Sequence, residues 1–298
     1  MKQAKNEVFI EGILAEVDIK TDTSKKDNKP YIRGEIKILV NQMIDGETKE
    51  SVIPIRMFSM KNKKNGDANP AYDAILKVQN TFKSAAGEGG LKNADAVRVT
   101  RGSINENIFV PRGSDKEVSF PEIQANFISK CNRNSSNPLT RFSINVAINA
   151  IKEDVDREGV PTGALVIKAG VPQYADKLDL IEFKVYKDNA KEHIERYWQK
   201  GNTVNVEGYI NFSAKTEFIE EEEESGFGDP ISIPKTTTVR ELVIISGSSE
   251  PFDEERSYSK EELNTGMDER IARIAILKDN SQKTAPAFND TKKNSFDY

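Results

Sequence analysis

The chain has 298 residues with 37% hydrophobic and 31% charged side chains, and its formal net charge is −5 at pH 7. A single histidine and a single cysteine exclude the common zinc sites, an intramolecular disulfide, and Ser-His-Asp or Cys-His catalysis. No stretch approaches the ~20 apolar residues of a membrane-spanning helix. The sequence therefore predicts a cytoplasmic protein of two domains that is not an enzyme, needs no cofactor or metal, and has no membrane partner.

The first half of the chain reads as five strands and one helix. Apolar residues alternate with polar ones from Val8 to Leu14, which is the period of a half-buried strand. The same period recurs around residues 32–38, 53–57, 97–104 and 117–130, and a helix is predicted at 70–83 with Pro70 near its start. The fourth strand holds one residue more than its later counterpart, which indicates a β-bulge.

The second half repeats this pattern. Its strands are predicted at 142–148, 163–171, 178–187, 202–213 and 236–246, with a helix at 189–200 between the third and the fourth. Asp188 is a candidate helix cap, and Gly201 suits the left-handed position that follows a helix. Trp198, at the end of this helix, is expected in the core.

A strand, a plugging helix and a strand in this order are typical of the five-stranded Greek-key barrel called the OB-fold. The predicted fold class is thus mainly β, with two tandem OB-fold barrels, a C-terminal helix and a disordered tail. The predicted units are a first OB-fold domain at 1–131, a linker at 132–139, a second OB-fold domain at 140–249 with an acidic loop at 219–235, a helical segment at 250–278 and the tail at 279–298.

Charge is distributed unevenly along the chain. Five consecutive glutamates occupy residues 220–224, and further carboxylates cluster between 250 and 269. Without those segments the body is close to neutral, with lysine clusters at 25–29 and 61–64, and the local field rather than the net charge decides whether phosphate is attracted. Ser259 and Glu262 form a capping box for the C-terminal helix, which Gly266 is expected to interrupt. The acidic loop is either a solvated segment or a mimic of nucleic acid that screens a binding groove.

Residues 183–210 resemble the single-stranded DNA-binding proteins of bacteria and their phages. The matching motifs are FKVY at 183–186, NAKEHIERYW at 189–198, the Lys200-Gly201 turn, and VNVEGYI at 204–210. The opening Asn6-Glu7-Val8 is similar to the family's first strand. That family usually has one barrel per chain and a tail tip richer in aspartate, whereas this chain carries two barrels and only Asp297 in its tip.

The resemblance implies that Tyr186 stacks on bases, with Phe58 as its counterpart in the first half. The residues of these strands that point outward mix cations with aromatics, which is the chemistry of a surface that stacks bases and follows phosphates. The candidate nucleic-acid-binding residues are Tyr31, Arg33, Arg56, Phe58, Lys61, Lys63, Arg98, Arg101, Lys184, Tyr186, Tyr209 and Asn211.

The leading hypothesis is a protein that binds single-stranded DNA without sequence preference during DNA replication or recombination, in a bacterial cytoplasm and encoded by a bacteriophage. Replication or recombination proteins are then candidate partners for the C-terminal helix or tail. One alternative is a structural or assembly OB-fold module that docks protein partners, since fold does not dictate function. Another is an accessory subunit that binds both DNA and an enzyme.

Overall fold

The computed structural model describes residues 3–44, 46–133, 140–156, 158–220 and 232–283. Eleven strands and four helices are seen in this part of the chain. The strands are β1 Asn6–Phe9, β2 Glu11–Thr23, β3 Pro30–Ile44, β4 Glu47–Met60, β5 Ala96–Phe109, β6 Val118–Lys130, β7 Arg141–Val155, β8 Pro161–Pro172, β9 Leu178–Val185, β10 Thr203–Glu220 and β11 Ser232–Gly247. The helices are α1 Pro70–Thr81, α2 Gly90–Asn93, α3 Asp188–Tyr197 and α4 Lys260–Lys283.

Strands β2 to β6 form a closed first barrel. β2, β3 and β4 are an antiparallel meander, β4 pairs in parallel with β6, and β5 pairs with both β6 and β2. Each strand therefore has a neighbour on both edges, which removes the open sheet edge. Helix α1 begins at Pro70 as predicted and buries Ile75 and Val78 against the barrel.

Strands β7 to β11 close a second barrel with the same connectivity. β7, β8 and β9 form the meander, β9 pairs in parallel with β11, and β10 pairs with both β11 and β7. Helix α3 lies between the third and fourth strands, and Trp198 behind it is only 3% exposed. The predicted mainly β tandem of OB-fold barrels is thus confirmed, as is the core position of Trp198.

Strand β1 joins the two barrels. It pairs with β5 of the first barrel through Val8 and Gly102, and with β7 of the second barrel from Asn6 to Phe9. The single first strand predicted from Val8 to Leu14 is wrong, because Ile10 interrupts it and β1 turns away to the second barrel. The eleven strands are consequently one connected sheet, and the predicted domain boundaries stay a prediction.

A buried hydrogen-bond network also holds the barrels together. The side-chain amide of Gln42 donates to the carbonyl of Ile210 at 2.7 Å, and its oxygen accepts from the hydroxyl of Thr140 at 2.8 Å. Gln42 is fully buried. Buried polar groups without partners are costly, so these reciprocal bonds fix how β3 meets β10.

Helix α4 bridges the barrels through two ion pairs. The Arg270 Nε donates to Glu106 Oε2 at 2.8 Å, and Arg273 lies 3.3 Å from Asp179. Burial acts to raise the pKa of Glu106, but the bonds from Arg270 and Ser119 outweigh it and hold this pKa below its usual value. Burial raises the pKa of Asp179.

The C-terminal helix differs from its prediction. The capping box is confirmed, since the Ser259 amide donates to Glu262 and the Glu262 amide donates to the Ser259 hydroxyl. However, α4 is continuous through Gly266 and extends to Lys283, so the interruption and the predicted end at 278 are wrong. A helix interior tolerates one glycine at a cost of about 1 kcal/mol relative to alanine. Of the predicted tail, residues 284–298 lie outside the described residues.

Two further predictions need correction. Strand β10 continues to Glu220 and β11 begins at Ser232, so both ends of the predicted loop at 219–235 are paired strand, while 221–231 lie outside the described residues. Asp188 is the first residue of α3 and pairs with Lys191 at 2.7 Å rather than capping the helix from outside. Gly201 has the predicted left-handed conformation, with φ of +91°. However, α3 ends at Tyr197 rather than at residue 200, so Gly201 lies in the turn before β10 and does not directly follow the helix. None of the helices in the described ranges is long and apolar enough to cross a bilayer.

Candidate nucleic-acid interface

The outer face of the first barrel carries an open groove with a volume of 1210 Å³. Strands β2 to β6 supply its walls. The aromatic and cationic residues that line it are Lys20, Tyr31, Arg33, Arg56, Phe58, Arg101 and Phe127, and its carboxylates are Asp18, Glu35 and Glu122. Five of the seven aromatic and cationic residues, all except Lys20 and Phe127, were predicted from the sequence, and we call this surface the first-barrel groove.

The aromatic side chains of the first-barrel groove are accessible. Phe58 is 52% exposed, and its ring centroid lies 5.9 Å from that of Tyr31 on the neighbouring strand. The Tyr31 hydroxyl donates to Asp22 Oδ2 at 3.0 Å, and this bond raises the pKa of Tyr31. Two adjacent rings fixed on rigid strands form a platform on which successive bases could stack.

Cations surround these rings. The guanidinium of Arg33 lies over the Tyr31 ring at 5.6 Å, and that of Arg101 lies over the Phe127 ring at 5.5 Å. Among the described residues, neither arginine has a carboxylate within ion-pair distance. Arg56 is 2.9 Å from Glu122. The first-barrel groove therefore offers two guanidinium groups whose charge is available to phosphate.

The predicted β-bulge places Arg101 at the edge of the first-barrel groove. The register between β5 and β6 shifts on both sides of Arg101, which pairs with Phe127. A bulge re-aims the side chains next to it. Here it brings Ile128 into contact with the core and leaves Phe127 lining the groove.

The corresponding face of the second barrel is occupied by the chain's own carboxylates. Glu241 accepts hydrogen bonds from the Tyr186 hydroxyl at 3.0 Å and from Asn211 at 3.2 Å, and it lies 3.2 Å from Lys184. Lys184 also lies 2.9 Å from Asp154. We call these five residues the Glu241 cluster.

The pKa values in the Glu241 cluster reflect these contacts. Burial acts to lower the pKa of Lys184, but its bonds to Asp154 and Glu241 raise it above its usual value. Burial and the neighbouring charge of Glu241 raise the pKa of Tyr186. Lys184 therefore stays protonated and is already neutralised within the fold, so a phosphate would have to displace a carboxylate to reach it.

Residues of the first barrel partly cover this second face. Arg240 lies over the ring of Phe120, which β6 contributes, at 5.0 Å from its centroid. The remaining cleft of 490 Å³ is lined by five carboxylates and four cations. Lys168 pairs with Glu182, Lys184 with Asp154 and Glu241, and Arg270 with Glu106, while Arg240 is the cation that lies over Phe120. The lining carboxylates are Glu106, Glu117, Asp154, Glu182 and Glu241.

The other predicted residues lie outside these two surfaces or at their margins. Lys61 and Lys63 are exposed in the loop after β4, where Met60 pairs with Tyr31. Arg98 pairs with Glu11 and lies over the Phe9 ring at 5.7 Å. Tyr209 is half-buried on β10, opposite Val243 of β11.

Sequence reasoning missed Phe127 as a groove residue. The alternation of Ile123 and Ala125 in β6 predicts residue 127 on the buried side. A shift of one residue in register exchanges the two faces of a strand, and the bulge opposite supplies that shift. The bulge in β5 was predicted from the sequence and could have revealed this exchange of faces. The prediction did not say which residue of β6 lies opposite the bulge.

The fold is similar to that of solved OB-fold structures. The wild-type single-stranded DNA binding protein of Thermus aquaticus is similar with a TM-score of 0.51 and 10% identity, over 87% of this chain and 99% of that one. A deletion mutant of the Thermus aquaticus protein gives a TM-score of 0.50 and 12% identity, over 88% of this chain and 100% of that one. At these identities the likeness establishes the fold.

A family model described as YorF matches residues 5–282. The chain therefore belongs to the YorF family. No curated protein matches its sequence.

Proposed function

We propose that this chain binds single-stranded DNA without sequence preference and acts in DNA replication or recombination. The observation that carries the proposal is the first-barrel groove, in which exposed Phe58 lies beside Tyr31. The guanidinium groups of Arg33 and Arg101, which form no ion pair within the described ranges, flank the rings. The similarity in fold to a protein named for single-stranded DNA binding supports it. A bacteriophage context, suggested by the tandem form and the composition, is part of the proposal.

The binding free energy would come from base stacking and from phosphate contacts, and no chemical step would be involved. Each base stacked on Phe58 or Tyr31 would contribute about 1–3 kcal/mol, and stacking tolerates every base because each has a π-face. Arginines would contact phosphates. In a plot of log affinity against log salt concentration, each phosphate contact on a single strand makes the negative slope steeper by about 0.7. The exposed Lys61 and Lys63 would extend the phosphate track beyond the first-barrel groove.

The remaining predicted residues would play smaller parts. Arg98 would contribute mainly by holding the Phe9 ring, over which its guanidinium lies, because its charge is paired with Glu11. Lys184, Tyr186 and Asn211 are held by Glu241, and Tyr209 lies beside them on β10. We therefore assign the first barrel the larger share of the binding free energy.

The test is anisotropy of a labelled oligo-dT titrated with the protein at two salt concentrations, with poly-rU and duplex DNA as competitors. Phe58→Ala is expected to weaken binding by about 1–3 kcal/mol, or roughly 5- to 150-fold. Tyr186→Ala is expected to have a smaller effect. Tyr174→Ala is the matched control, since Tyr174 is a highly exposed aromatic in the turn between β8 and β9 and lines neither surface.

Different failures have different meanings. Unchanged affinity in the double variant Phe58→Ala, Tyr186→Ala would overturn the stacking assignment while leaving DNA binding intact. Absence of binding to any single strand at low salt would overturn the proposed function.

A second candidate function is protein docking by α4. Ile271 and Ile276 are 57% and 63% exposed, although both are large and apolar. An assembly module would use these exposed apolar side chains of α4 and ignore DNA. Partner capture that Ile271→Ser abolishes, in a protein that shifts no oligonucleotide, would favour this function.

A further inference from the structure

A second groove lies between the two barrels, over strand β1. Its volume is 650 Å³, and its lining includes Phe9, Arg101, Arg141, Ser143, Glu207 and Ile245. Arg101 and Gly102 line both this groove and the first-barrel groove. The two surfaces are therefore contiguous, and we call the second one the inter-barrel groove.

Strand β1 determines which side chains face the inter-barrel groove. Phe9 pairs with Arg141, so both side chains stand on the same face of the sheet, whereas Val8 and Phe142 are buried on the other face. Ile245 of β11 is 41% exposed on the far wall. The groove thus begins at the bulge that carries Arg101 and ends on the second barrel.

The charges in the inter-barrel groove favour a phosphate chain. Within the described part of the molecule, Arg141 is exposed and has no carboxylate partner. Of the two acidic residues in the lining, Glu7 lies 3.4 Å from Lys5, and Glu207 accepts from the Ser143 hydroxyl at 3.2 Å. By contrast, three cations of the cleft at the Glu241 cluster, Lys168, Lys184 and Arg270, are paired with carboxylates, and the fourth, Arg240, lies over the Phe120 ring.

We propose that a single strand bound in the first-barrel groove continues over Arg101 into the inter-barrel groove, where Arg141 contacts a phosphate and Ile245 packs against a sugar or base. The strand thereby bypasses the Glu241 cluster, the face of the second barrel that corresponds to the first-barrel groove. This inference rests on the proposed function and adds Arg141 and Ile245 to the binding residues.

The test compares oligo-dT of about 6 and about 20 nucleotides, because one OB-fold covers roughly 4–16 nucleotides. Arg141→Gln is expected to weaken binding of the longer oligonucleotide and to reduce the magnitude of its salt slope by about 0.7, the value for one phosphate contact. Binding of the shorter one, which the first-barrel groove can hold alone, should not change. Ile245→Glu should likewise weaken only the longer complex, by repulsion of phosphate.

Arg196→Gln is the matched control, because Arg196 is an exposed arginine on α3 of the same barrel and lines neither groove. It should leave both affinities unchanged. Lys184→Gln tests whether the strand instead passes over the Glu241 cluster. Urea unfolding confirms that this variant is folded.

Three outcomes would overturn the inference while leaving the proposed function intact. The first is wild-type affinity of Arg141→Gln and Ile245→Glu for the longer oligonucleotide. The second is an equal loss for both lengths in Arg141→Gln. The third is a loss in Lys184→Gln where Arg141→Gln shows none, which would place the strand at the Glu241 cluster. Failure of the wild type to bind either length contradicts the proposed function itself.

Discussion

Lys184 and Arg33 show how the surroundings of a cation decide its use. Both were predicted as binding residues, Lys184 from the outward phase of its strand and Arg33 as a contact to the nucleic-acid backbone. Lys184 lies within 3.2 Å of two carboxylates, whereas Arg33 stacks on Tyr31. Because charge pairing inside the fold must be broken before a ligand can use it, only Arg33 is free to meet phosphate.

Removing the carboxylates should activate the second face. In the double variant Asp154→Asn, Glu241→Gln, Lys184 and Tyr186 lose their acidic partners, so single-strand affinity should rise and the salt slope should steepen by about 0.7. The measurement is the salt titration of a long oligo-dT. The control is Glu192→Gln, Glu195→Gln, which removes two charges from α3. An equal gain in both double variants would mean that net charge alone is responsible.

Trp198 is a residue whose role is set by its buried contacts. Its ring contacts the position where a Cβ on Gly247 would stand, 3.0 Å away, and its Nε1 donates to the carbonyl of Ser248 at 3.2 Å. Trp198→Ala is expected to cost about 3–5 kcal/mol in free energy of unfolding, measured by urea denaturation. Tyr197→Ala, on the exposed side of α3, should cost far less. A small loss in the first variant would contradict the role of Trp198 as the plug of the second barrel.

At the scale of elements, periodicity predicted almost every strand and helix of both barrels. The two-residue alternation indicates that one face of a strand is buried, and Pro70 and the Ser259–Glu262 pair mark the starts of α1 and α4 by local chemistry. These signals depend on neighbours in sequence. They are sufficient for the existence and approximate bounds of each element.

Register and contacts distant in sequence could not be predicted in the same way. The side of β6 on which Phe127 lies depends on the bulge at Arg101, which pairs with it across the sheet. Arg240 covers Phe120 from the other barrel, 120 residues away. The departure of β1 from β2 likewise depends on its partner β7. Such features are set by packing, so Tyr31 and Phe58 of the candidate site were predictable, whereas Phe127 and the inter-barrel part were not.

At the scale of the whole molecule, α4 and the buried pair between Arg270 and Glu106 link the barrels. The Glu106 side chain is 1% exposed and that of Arg270 12%. Glu106→Gln leaves a buried arginine without its counter-charge, which is expected to cost about 3–5 kcal/mol at pH 7. Urea unfolding measures this, with the exposed pair of Glu117 and Lys278 as control. Glu117→Gln should cost under about 1 kcal/mol.

The same pair predicts a pH dependence. The pKa of Glu106 is lower in the folded than in the unfolded state, so its contribution is present above the unfolded-state pKa and is lost as pH falls through the folded-state value. The pKa of Asp179 is raised, so its contribution has the opposite sign. Wild type should therefore lose more stability than Glu106→Gln between neutral pH and the acid range, in urea titrations at successive pH values. A constant difference between the two proteins would contradict the assignment.

Strand β1 also has a consequence for the order in which the molecule can form. Domains generally fold as units during synthesis, the N-terminal one first, and strands β2 to β6 can close without help from later residues. One edge of β1 pairs with β7, which lies some 135 residues further along the chain. On a growing chain that edge stays unpaired until about half of the protein has been made, and an unpaired edge is a template for other chains. The strand that unites the two barrels is thus exposed to misassociation while the chain is being translated.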